Sequence, residues 1–138
     1  MTRGSLTAVV MFTMSVVAAT ATDAAPANCT VFEDQVSLLN CGVILTATAT
    51  RRLRVEADCD HNVHVEIQDV PPGLYSVLVD GVERGTIRVK AKHDDGGLDF
   101  DTSPRGAQLP LAFDPFGHID VAAGSGRVIL SLDQCPAQ

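Results

Sequence analysis

The sequence contains no tryptophan and a single tyrosine, Tyr75. Carbohydrate-binding sandwiches usually stack sugar rings on exposed Trp or Tyr side chains, because aromatic faces pair with the apolar faces of pyranoses. Tyr75 lies in an alternating segment and has the parity of a core position. We therefore do not expect this protein to bind sugars.

Basic side chains are also scarce. The chain has 10 Lys and Arg residues against 17 Asp and Glu residues, which gives a formal net charge of −7. The basic residues are scattered apart from Arg51, Arg52 and Arg54, so the sequence shows no extended basic patch of the kind that phosphate recognition needs. We expect neither nucleic acid nor an anionic lipid surface to be a partner.

The sequence lacks a hydrophobic run long enough to span a membrane. Residues 6–19 form an apolar run that follows Arg3 and ends in small residues, which is the pattern of a secretory signal peptide. The run is shorter than the roughly 18 to 20 apolar residues that a membrane-spanning helix needs. We predict that residues 1–25 are a signal peptide, that the mature protein begins between residues 22 and 28, and that residues 28–138 form a single domain. The protein is then secreted or periplasmic, without membrane insertion.

All four cysteines, Cys29, Cys41, Cys59 and Cys135, lie after this leader. An even number in a small exported chain predicts two disulfides, and the absence of any C-x-x-C pair disfavours zinc. We favour pairing of Cys29 with Cys41 and of Cys59 with Cys135, because the polar residues 34–35 offer a turn inside the first loop. The alternative joins Cys41 to Cys59 and Cys29 to Cys135.

Apolar and polar residues alternate along most of the remaining chain. A period of two is typical of strands that bury one face, and no segment has a convincing helical stripe. The alternating segments are 52–57, 63–68, 75–79, 86–92, 98–101, 118–121 and 128–132. Residues 43–50, which are rich in β-branched side chains, predict a further strand, and residues 30–33 predict an edge strand.

Turn residues separate these segments. Asp80-Gly81 and residues 124–126 predict hairpins, because Gly and Asp tolerate the positive φ angles of tight turns. The pattern as a whole predicts an all-β fold, an antiparallel β-sandwich or small barrel of about seven to nine strands. Residues 102–117, with three prolines, form a long irregular connection. The predicted core consists of Leu53, Val55, Val63, Val65, Ile67, Tyr75, Val77, Val79, Ile87, Val89, Leu98, Phe100, Ile119, Val121, Val128, Leu130 and Leu132.

Residues 70–81 read Val-Pro-Pro-Gly-Leu-Tyr-Ser-Val-Leu-Val-Asp-Gly. This segment resembles the turn-and-strand signature of transthyretin-like sandwiches, which include carboxypeptidase-regulatory-like and collagen-binding B-repeat modules. The Pro-Pro-Gly turn sets the direction of the chain, and Tyr75 closes the edge of the core. The resemblance implies a stalk, a spacer or a binding domain rather than a catalyst.

The densest group of metal-ligating side chains is His-Asp-Asp-Gly-Gly-Leu-Asp-Phe-Asp at residues 93–101. Calcium prefers several carboxylate and carbonyl oxygens that converge from a flexible loop, so Asp94, Asp95, Asp99 and Asp101 are a candidate calcium site. The residue order does not match a calcium-hand loop, and Asp99 and Asp101 also fit the solvated face of a strand. We expect solvated charge and no cofactor, and we keep calcium as the alternative.

Candidate catalytic groups are few. His118 lies beside Asp120, a pair suited to acid–base chemistry, but no nucleophile is near them in the sequence. Ser125 lies between two glycines and fits a hairpin tip better than a nucleophile elbow. His61 and His64 are three residues apart, so on a strand they point to opposite faces and do not chelate one ion. We expect no enzymatic activity.

Phe113 and Phe116 lie in the proline-containing connection, where they either anchor it on the sandwich or offer an apolar contact to a partner. The sequence predicts an exported, disulfide-stabilised β-sandwich module with a structural or partner-binding role. Its expected partner is a protein or another extracellular or cell-surface component. Two alternatives stay open: a calcium-dependent binding module that uses residues 94–101, and a small secreted hydrolase or inhibitor with His118 in a cleft.

Overall fold

The computed structural model describes residues 28–137, so the predicted signal peptide lies outside the described residues. The described chain forms ten strands and no helix. The strands are β1 (Phe32–Ser37), β2 (Leu39–Asn40), β3 (Thr48–Val55), β4 (His61–Gln68), β5 (Gly73–Val79), β6 (Val82–Val89), β7 (Gly96–Asp101), β8 (Leu109–Pro110), β9 (Ile119–Ala123) and β10 (Val128–Ser131).

These strands form two sheets of five strands each, which pack face to face. Sheet A has the order β1-β3-β4-β7-β8, and sheet B has the order β2-β10-β9-β5-β6. All strand pairs are antiparallel except β7 and β8, which run parallel. The sheets stay open rather than closing into a barrel. The predicted all-β sandwich is confirmed, with two short strands, β2 and β8, that the sequence pattern did not indicate.

The core lies between the two sheets and follows the predicted apolar parity. The predicted core residues are buried except Leu98, Val128 and Leu132, which are half-buried. Ile129 is fully buried although its parity predicted an outward position. The register of β10 against β9 shifts between Val128 and Leu130, so Ile129 is an extra residue at an irregularity in the ladder. A bulge of this kind turns the side chain of the extra residue toward the opposite face of the sheet, and the alternation of the sequence does not reveal it.

Both predicted hairpin turns are present. Asp80 and Gly81 connect β5 to β6 with φ angles of 52° and 79°. Gly126, in the turn between β9 and β10, has a φ of 85°. Two successive residues with positive φ match the right-handed twist of the flanking strands, which is why Asp-Gly specifies this connection.

The predicted strand at residues 43–50 is wrong in its first half. Only Thr48 to Thr50 belong to β3, and residues 42–46 form a turn and bends. The Asn40 side chain holds this turn, because its Nδ2 donates to the carbonyl oxygens of Ile44 at 2.9 Å and Ala47 at 2.8 Å. Hydrogen bonds from a side chain four to seven residues away thus override the β propensity of these residues.

Both disulfides form, but both predicted pairings are wrong. Cys29 bonds to Cys59, and Cys41 bonds to Cys135. Residues 34–35, which were expected to form a turn, lie in the middle of β1 and extend the chain between Cys29 and Cys41. Since β1 pairs antiparallel with β3, the segment before β1 meets the turn after β3, where Cys59 lies.

The second disulfide closes the edge of sheet B. Cys41 follows β2, which pairs with β10, and its backbone N–H donates to Ile129 O at 2.9 Å. The C-terminal residues 132–137, which we call the tail, turn back after β10, so that Ser131 Oγ donates to Gln134 O at 2.8 Å. Cys135 thereby reaches Cys41, and the disulfide ties the tail to the sheet.

Within residues 28–137, one charged side chain is buried in the sandwich. Arg51 lies on the buried face of β3, and its side chain is 7% exposed. Its Nη2 lies 3.0 Å from Asp34 Oδ2 of the edge strand β1. Neither Nε nor Nη1 of Arg51 has a hydrogen-bond partner among the described residues. Asp34 therefore supplies the charge that compensates this buried guanidinium.

We predict that the pair Arg51–Asp34 matters more than its exposed neighbour Arg54–Glu33. The Asp34→Ala variant leaves a buried cation without a partner and should lose about 1–3 kcal/mol of unfolding free energy. The Glu33→Ala variant removes a pair whose side chains are 45% and 49% exposed. An exposed pair contributes only about 0.2–1 kcal/mol. Urea unfolding of the two variants measures the difference, and equal losses would contradict it.

Candidate functional site

The outer face of sheet A is polar over four strands. Glu33 of β1 lies opposite Arg54 of β3, Arg54 lies opposite Asn62 of β4, and Asn62 lies opposite Asp101 of β7. A parallel row runs through Gln35, Arg52, His64 and Asp99. Because these side chains alternate with the core residues, the strands that bury the core also assemble this surface, which we call the polar face.

Two of the candidate calcium ligands are partnered on the polar face. Asp99 Oδ1 lies 2.8 Å from His64 Nδ1. Asp101 accepts hydrogen bonds from Asn62 Nδ2 at 3.2 Å and from the Ser103 backbone N–H at 2.8 Å. Both carboxylates are thus engaged by neighbouring donors of the chain.

The other two candidate ligands lie before β7, where both side chains are exposed. Asp94 uses its backbone carbonyl to accept the N–H of Val70 at 3.1 Å. Asp95 Oδ1 lies 4.0 Å from His93 Nδ1. Among residues 28–137, no group of three or more His, Cys, Asp or Glu side chains is placed to hold a metal ion. The fold separates the carboxylates that the sequence places close together.

We predict that calcium raises the unfolding temperature no more than magnesium does. The carboxylates of Asp99 and Asp101 are already bonded within the chain, so a bound ion has to displace those donors before it stabilises the native state. Thermal unfolding with calcium, with magnesium and with a chelator tests this, with Asp99→Ala as the matched variant. A calcium-specific rise that the Asp99→Ala variant lacks would support the calcium module instead.

A small acidic pocket opens where β4 begins and β7 ends. It has a volume of about 200 Å³ and is lined by Glu56, Asp58, Asp60, His61, Asn62, Asp101, Ser103, Arg105 and Gln108. Asp60 Oδ1 accepts hydrogen bonds from Thr102 Oγ1 at 2.9 Å and Ser103 Oγ at 3.0 Å. His61 Nδ1 lies 2.9 Å from Cys59 O. These bonds hold the turn after β7 against the turn that carries the Cys29–Cys59 disulfide.

A second polar group lies on the outer face of sheet B, and we call it the His118 cluster. His118 Nε2 lies 3.0 Å from Asp120 Oδ1 and 3.2 Å from Ser131 Oγ, while Nδ1 lies 3.5 Å from Asp133 Oδ2. The sequence indicated the pair of His118 and Asp120, but nothing in its pattern pointed to Ser131 or Asp133. Strand pairing places Ser131 beside this pair, because Ser131 of β10 lies directly opposite Asp120 of β9. Asp133 follows two residues later, in the tail.

The His118 cluster contains a serine, a histidine and two carboxylates, but its arrangement is unfavourable for nucleophilic catalysis. Ser131 is fully buried, and its hydroxyl donates its proton to Gln134 O at 2.8 Å. Asp133 does lie at the ring nitrogen opposite Ser131, where the acid of a triad would be, but at 3.5 Å, and Asp120 at 3.0 Å is closer than Ser131 to the nitrogen that both contact. The adjoining pocket of about 340 Å³ is formed by His118, Asp120 and residues 133–137. The cluster instead connects the tail to sheet B.

The two phenylalanines of the long connection have different environments. The Phe113 ring packs edge-on against Phe100, with centroids 4.9 Å apart, and the Arg84 guanidinium lies 5.6 Å from the centre of the same ring. Phe113 therefore anchors the connection. Phe116 is 64% exposed. Of the two residues that the sequence offered as partner contacts, only Phe116 presents its ring to solvent.

Tyr75 lies in the core, as its parity predicted, and is 4% exposed. Its hydroxyl donates to Pro71 O at 2.6 Å, which fixes the Pro-Pro-Gly turn on the strand that follows. Burial raises the pKa of the Tyr75 phenol above its ordinary value, because the anion would lose its hydration. The ring is unavailable for stacking on a ligand.

Comparisons with known proteins return no match among family models, curated proteins or solved structures. The transthyretin-like resemblance of residues 70–81 therefore stays a prediction. Residues 28–137 contain no helix with the length and hydrophobicity needed to cross a membrane. What the molecule itself provides is a disulfide-closed sandwich with a polar face, the His118 cluster and an exposed Phe116.

Proposed function

We propose that this protein is exported and acts outside the cytosol as a disulfide-stabilised β-sandwich module with a structural or partner-binding role. The observation that carries the proposal is the pairing of all four cysteines in two disulfides within one chain. Such bonds persist in oxidising compartments and are rare where thiols are kept reduced. The apolar run at residues 6–19 supplies the route of export.

The clusters of chemistry-bearing residues support a non-catalytic role. The carboxylates Asp60, Asp99 and Asp101 are bonded to neighbouring donors, and the Ser131 hydroxyl is buried. A catalytic site needs an accessible nucleophile or a base that is free to accept a proton from substrate. The polar groups of this sandwich instead connect turns and tail to the strands.

Export is tested by producing the full chain in a secreting host and analysing the material outside the cytosol. We expect an N-terminus between residues 22 and 28 and an intact mass that lacks two hydrogens for each disulfide. The matched control carries Val9→Arg and Val10→Arg, which interrupt the apolar run and should keep the protein inside the cell. Exported protein that still begins at Met1, or free thiols in it, would contradict the proposal.

Partner binding is tested by site-specific photo-cross-linking at the exposed Phe116. Ser125 at the tip of the β9–β10 turn is the matched control, because both positions are exposed loop residues but only Phe116 is a large apolar side chain. We expect a discrete cross-linked species from position 116 and none from position 125. Equal cross-linking at the two positions indicates non-specific contact and argues against a partner at Phe116.

A further inference from the structure

The sandwich has four sheet edges, and three of them are blunted. Strands β2 and β8 are two residues long, and β8 contains Pro110, which has no backbone N–H. Strand β6 contains an irregularity beside Gly85 and runs against β7, where a Cβ on Gly96 would lie 2.7 Å from Ile87. Short strands, prolines and bulges are the usual devices that prevent a sheet edge from pairing with another chain.

Strand β1 is longer and has no proline or bulge; its only blunting feature is charge, from Glu33 and Asp34, each of which is paired with an arginine of β3. Its six residues pair with β3 in an unbroken register and include no Pro, Gly or Lys. The Leu38 N–H donates to Ala49 O at 2.9 Å, and these residues continue the same register. In an antiparallel pair, residues whose backbone groups bond to the partner strand alternate with residues whose backbone groups do not. Because Leu38 bonds to the strand opposite, Val36 and Asp34 also bond to β3.

The backbone N–H and C=O groups of Glu33, Gln35 and Ser37 therefore point away from sheet A. All three residues are exposed, and β1 is the edge strand of sheet A, with no described strand on its outer side. Three alternate residues with outward groups offer a regular template for another strand.

We propose that two copies of this chain associate through β1, antiparallel, about a twofold axis at Gln35. This inference rests on the partner-binding role proposed above and adds a second copy of the chain as a partner, bound at β1 rather than at Phe116. The outward groups pair when Gln35 lies opposite Gln35 and Glu33 lies opposite Ser37. This is the register in which all three outward residues pair with one another, because an axis centred on any other residue of β1 leaves at least one of them without a partner in β1.

The charges of β1 permit this contact although the chain is acidic overall. The Glu33 carboxylate lies 2.9 Å from Arg54 Nη2, and the Asp34 carboxylate lies 3.0 Å from Arg51 Nη2. Both acidic side chains of the strand are thus compensated within their own copy. The edge meets its symmetry mate with little net charge, whereas the whole chain carries −7.

Exposed apolar residues lie at the two ends of β1. Val31, just before β1, is 68% exposed, and Phe32, its first residue, is 44% exposed. Leu39, beyond its last residue, is 50% exposed. In the proposed register, residue 32 of one copy lies opposite residue 38 of the other. The exposed Val31 and Phe32 of one copy then lie at each end of the contact, where the chain of the second copy crosses from β1 to Leu39 of sheet B. The result is a continuous ten-stranded sheet built from two copies of sheet A.

The test is the concentration dependence of the mass of the purified, oxidised protein, measured by sedimentation equilibrium. We expect a monomer–dimer equilibrium. The Gln35→Pro variant removes an outward N–H from each copy, and loss of the two central hydrogen bonds should weaken association by about tenfold to a hundredfold. Its β1–β3 pairing is retained, because the Gln35 N–H does not bond to β3. Thermal unfolding of the variant checks this.

A second variant keeps the test decisive if Gln35→Pro does not fold. Ser37→Glu places a carboxylate opposite Glu33 of the second copy, whereas in its own copy it lies opposite the uncharged Thr50. Ser125→Glu adds the same charge at a distant hairpin and should leave association unchanged. A protein that stays monomeric overturns the proposal, and so does a dimer that neither β1 variant weakens, since it uses another surface.

Hydrogen exchange adds a readout within one strand. Dimerisation should slow exchange of the Gln35 and Ser37 amides as concentration rises, while the Asp34 and Val36 amides are protected in both states by β3. Concentration-independent exchange at Gln35 argues against the β1 contact. These measurements use protein that is already purified and oxidised. A monomeric result would therefore contradict the β1 dimer without contradicting export and disulfide formation. Likewise, a protein that is not exported would contradict the proposed function without bearing on the dimer.

Discussion

Replacement of Cys41 and Cys135 together by serine is expected to lower the free energy of unfolding by about 4.7 kcal/mol, because the crosslink removes loop-closure entropy from the unfolded chain. The two cysteines are separated by 94 residues. The same relation gives about 3.6 kcal/mol for the Cys29–Cys59 disulfide, whose separation is 30 residues. The long-range bond should therefore be the more costly to lose.

Denaturant unfolding of the two double variants measures both losses. The Cys41–Cys135 pair also holds the tail over Ser131, so its loss should release the contacts of the His118 cluster as well. Peptide mapping without reduction provides the companion check on connectivity. A larger loss for the Cys29–Cys59 variant would contradict the loop-length argument, and peptides joined in another pairing would contradict the connectivity itself.

Truncation of Phe100 to Ala is expected to cost about 3–5 kcal/mol, the range for removing a large aromatic side chain from a packed core. Phe100 is 1% exposed, and its ring supports Phe113 of the long connection. The substitution therefore opens a cavity and also removes the surface on which residues 102–117 are anchored. Loss of that anchor should increase proteolytic cleavage within the connection.

Phe116→Ala is the matched control for this prediction, because it removes the same side chain from an exposed position. We expect its stability to change by no more than about 0.5 kcal/mol, as is usual for surface substitutions away from special features. Chemical unfolding of both variants gives the comparison. Similar losses for the two would mean that Phe116, like Phe100, is packed in the folded protein.

The alternation of the sequence predicted most strands and their buried faces. Val63, Val65 and Ile67 illustrate this, since all three are fully buried on β4 while the residues between them are not. A strand that covers a core on one side has a period of two whatever lies around it, so the pattern is readable locally. Asp80-Gly81 was readable for the same reason, because the backbone angles of a tight turn depend on the two residues that form it.

The candidate sites were predictable only where their members share a strand or a turn. His118 and Asp120 are two residues apart, so their pairing follows from parity alone. Ser131 and Asp133 join them only because β10 pairs with β9. The acidic residues 94–101 show the reverse case, in which neighbours along the chain are separated by the fold: Asp99 turns to His64 across the sheet.

The sequence by itself thus determined the strands, the buried faces and the hairpin turns, because each depends on side chains and backbone angles within a few residues. The tertiary structure alone decided which cysteines bond, which residues surround His118 and which sheet edge stays unpaired. The two disulfides join cysteines that are 30 and 94 residues apart in the sequence. Every possible pairing of the four cysteines is compatible with the same alternation of apolar and polar residues. Only the order of strands in the two sheets distinguishes them: β1 beside β3 places Cys29 near Cys59, and β2 beside β10 brings Cys41 to the returning tail.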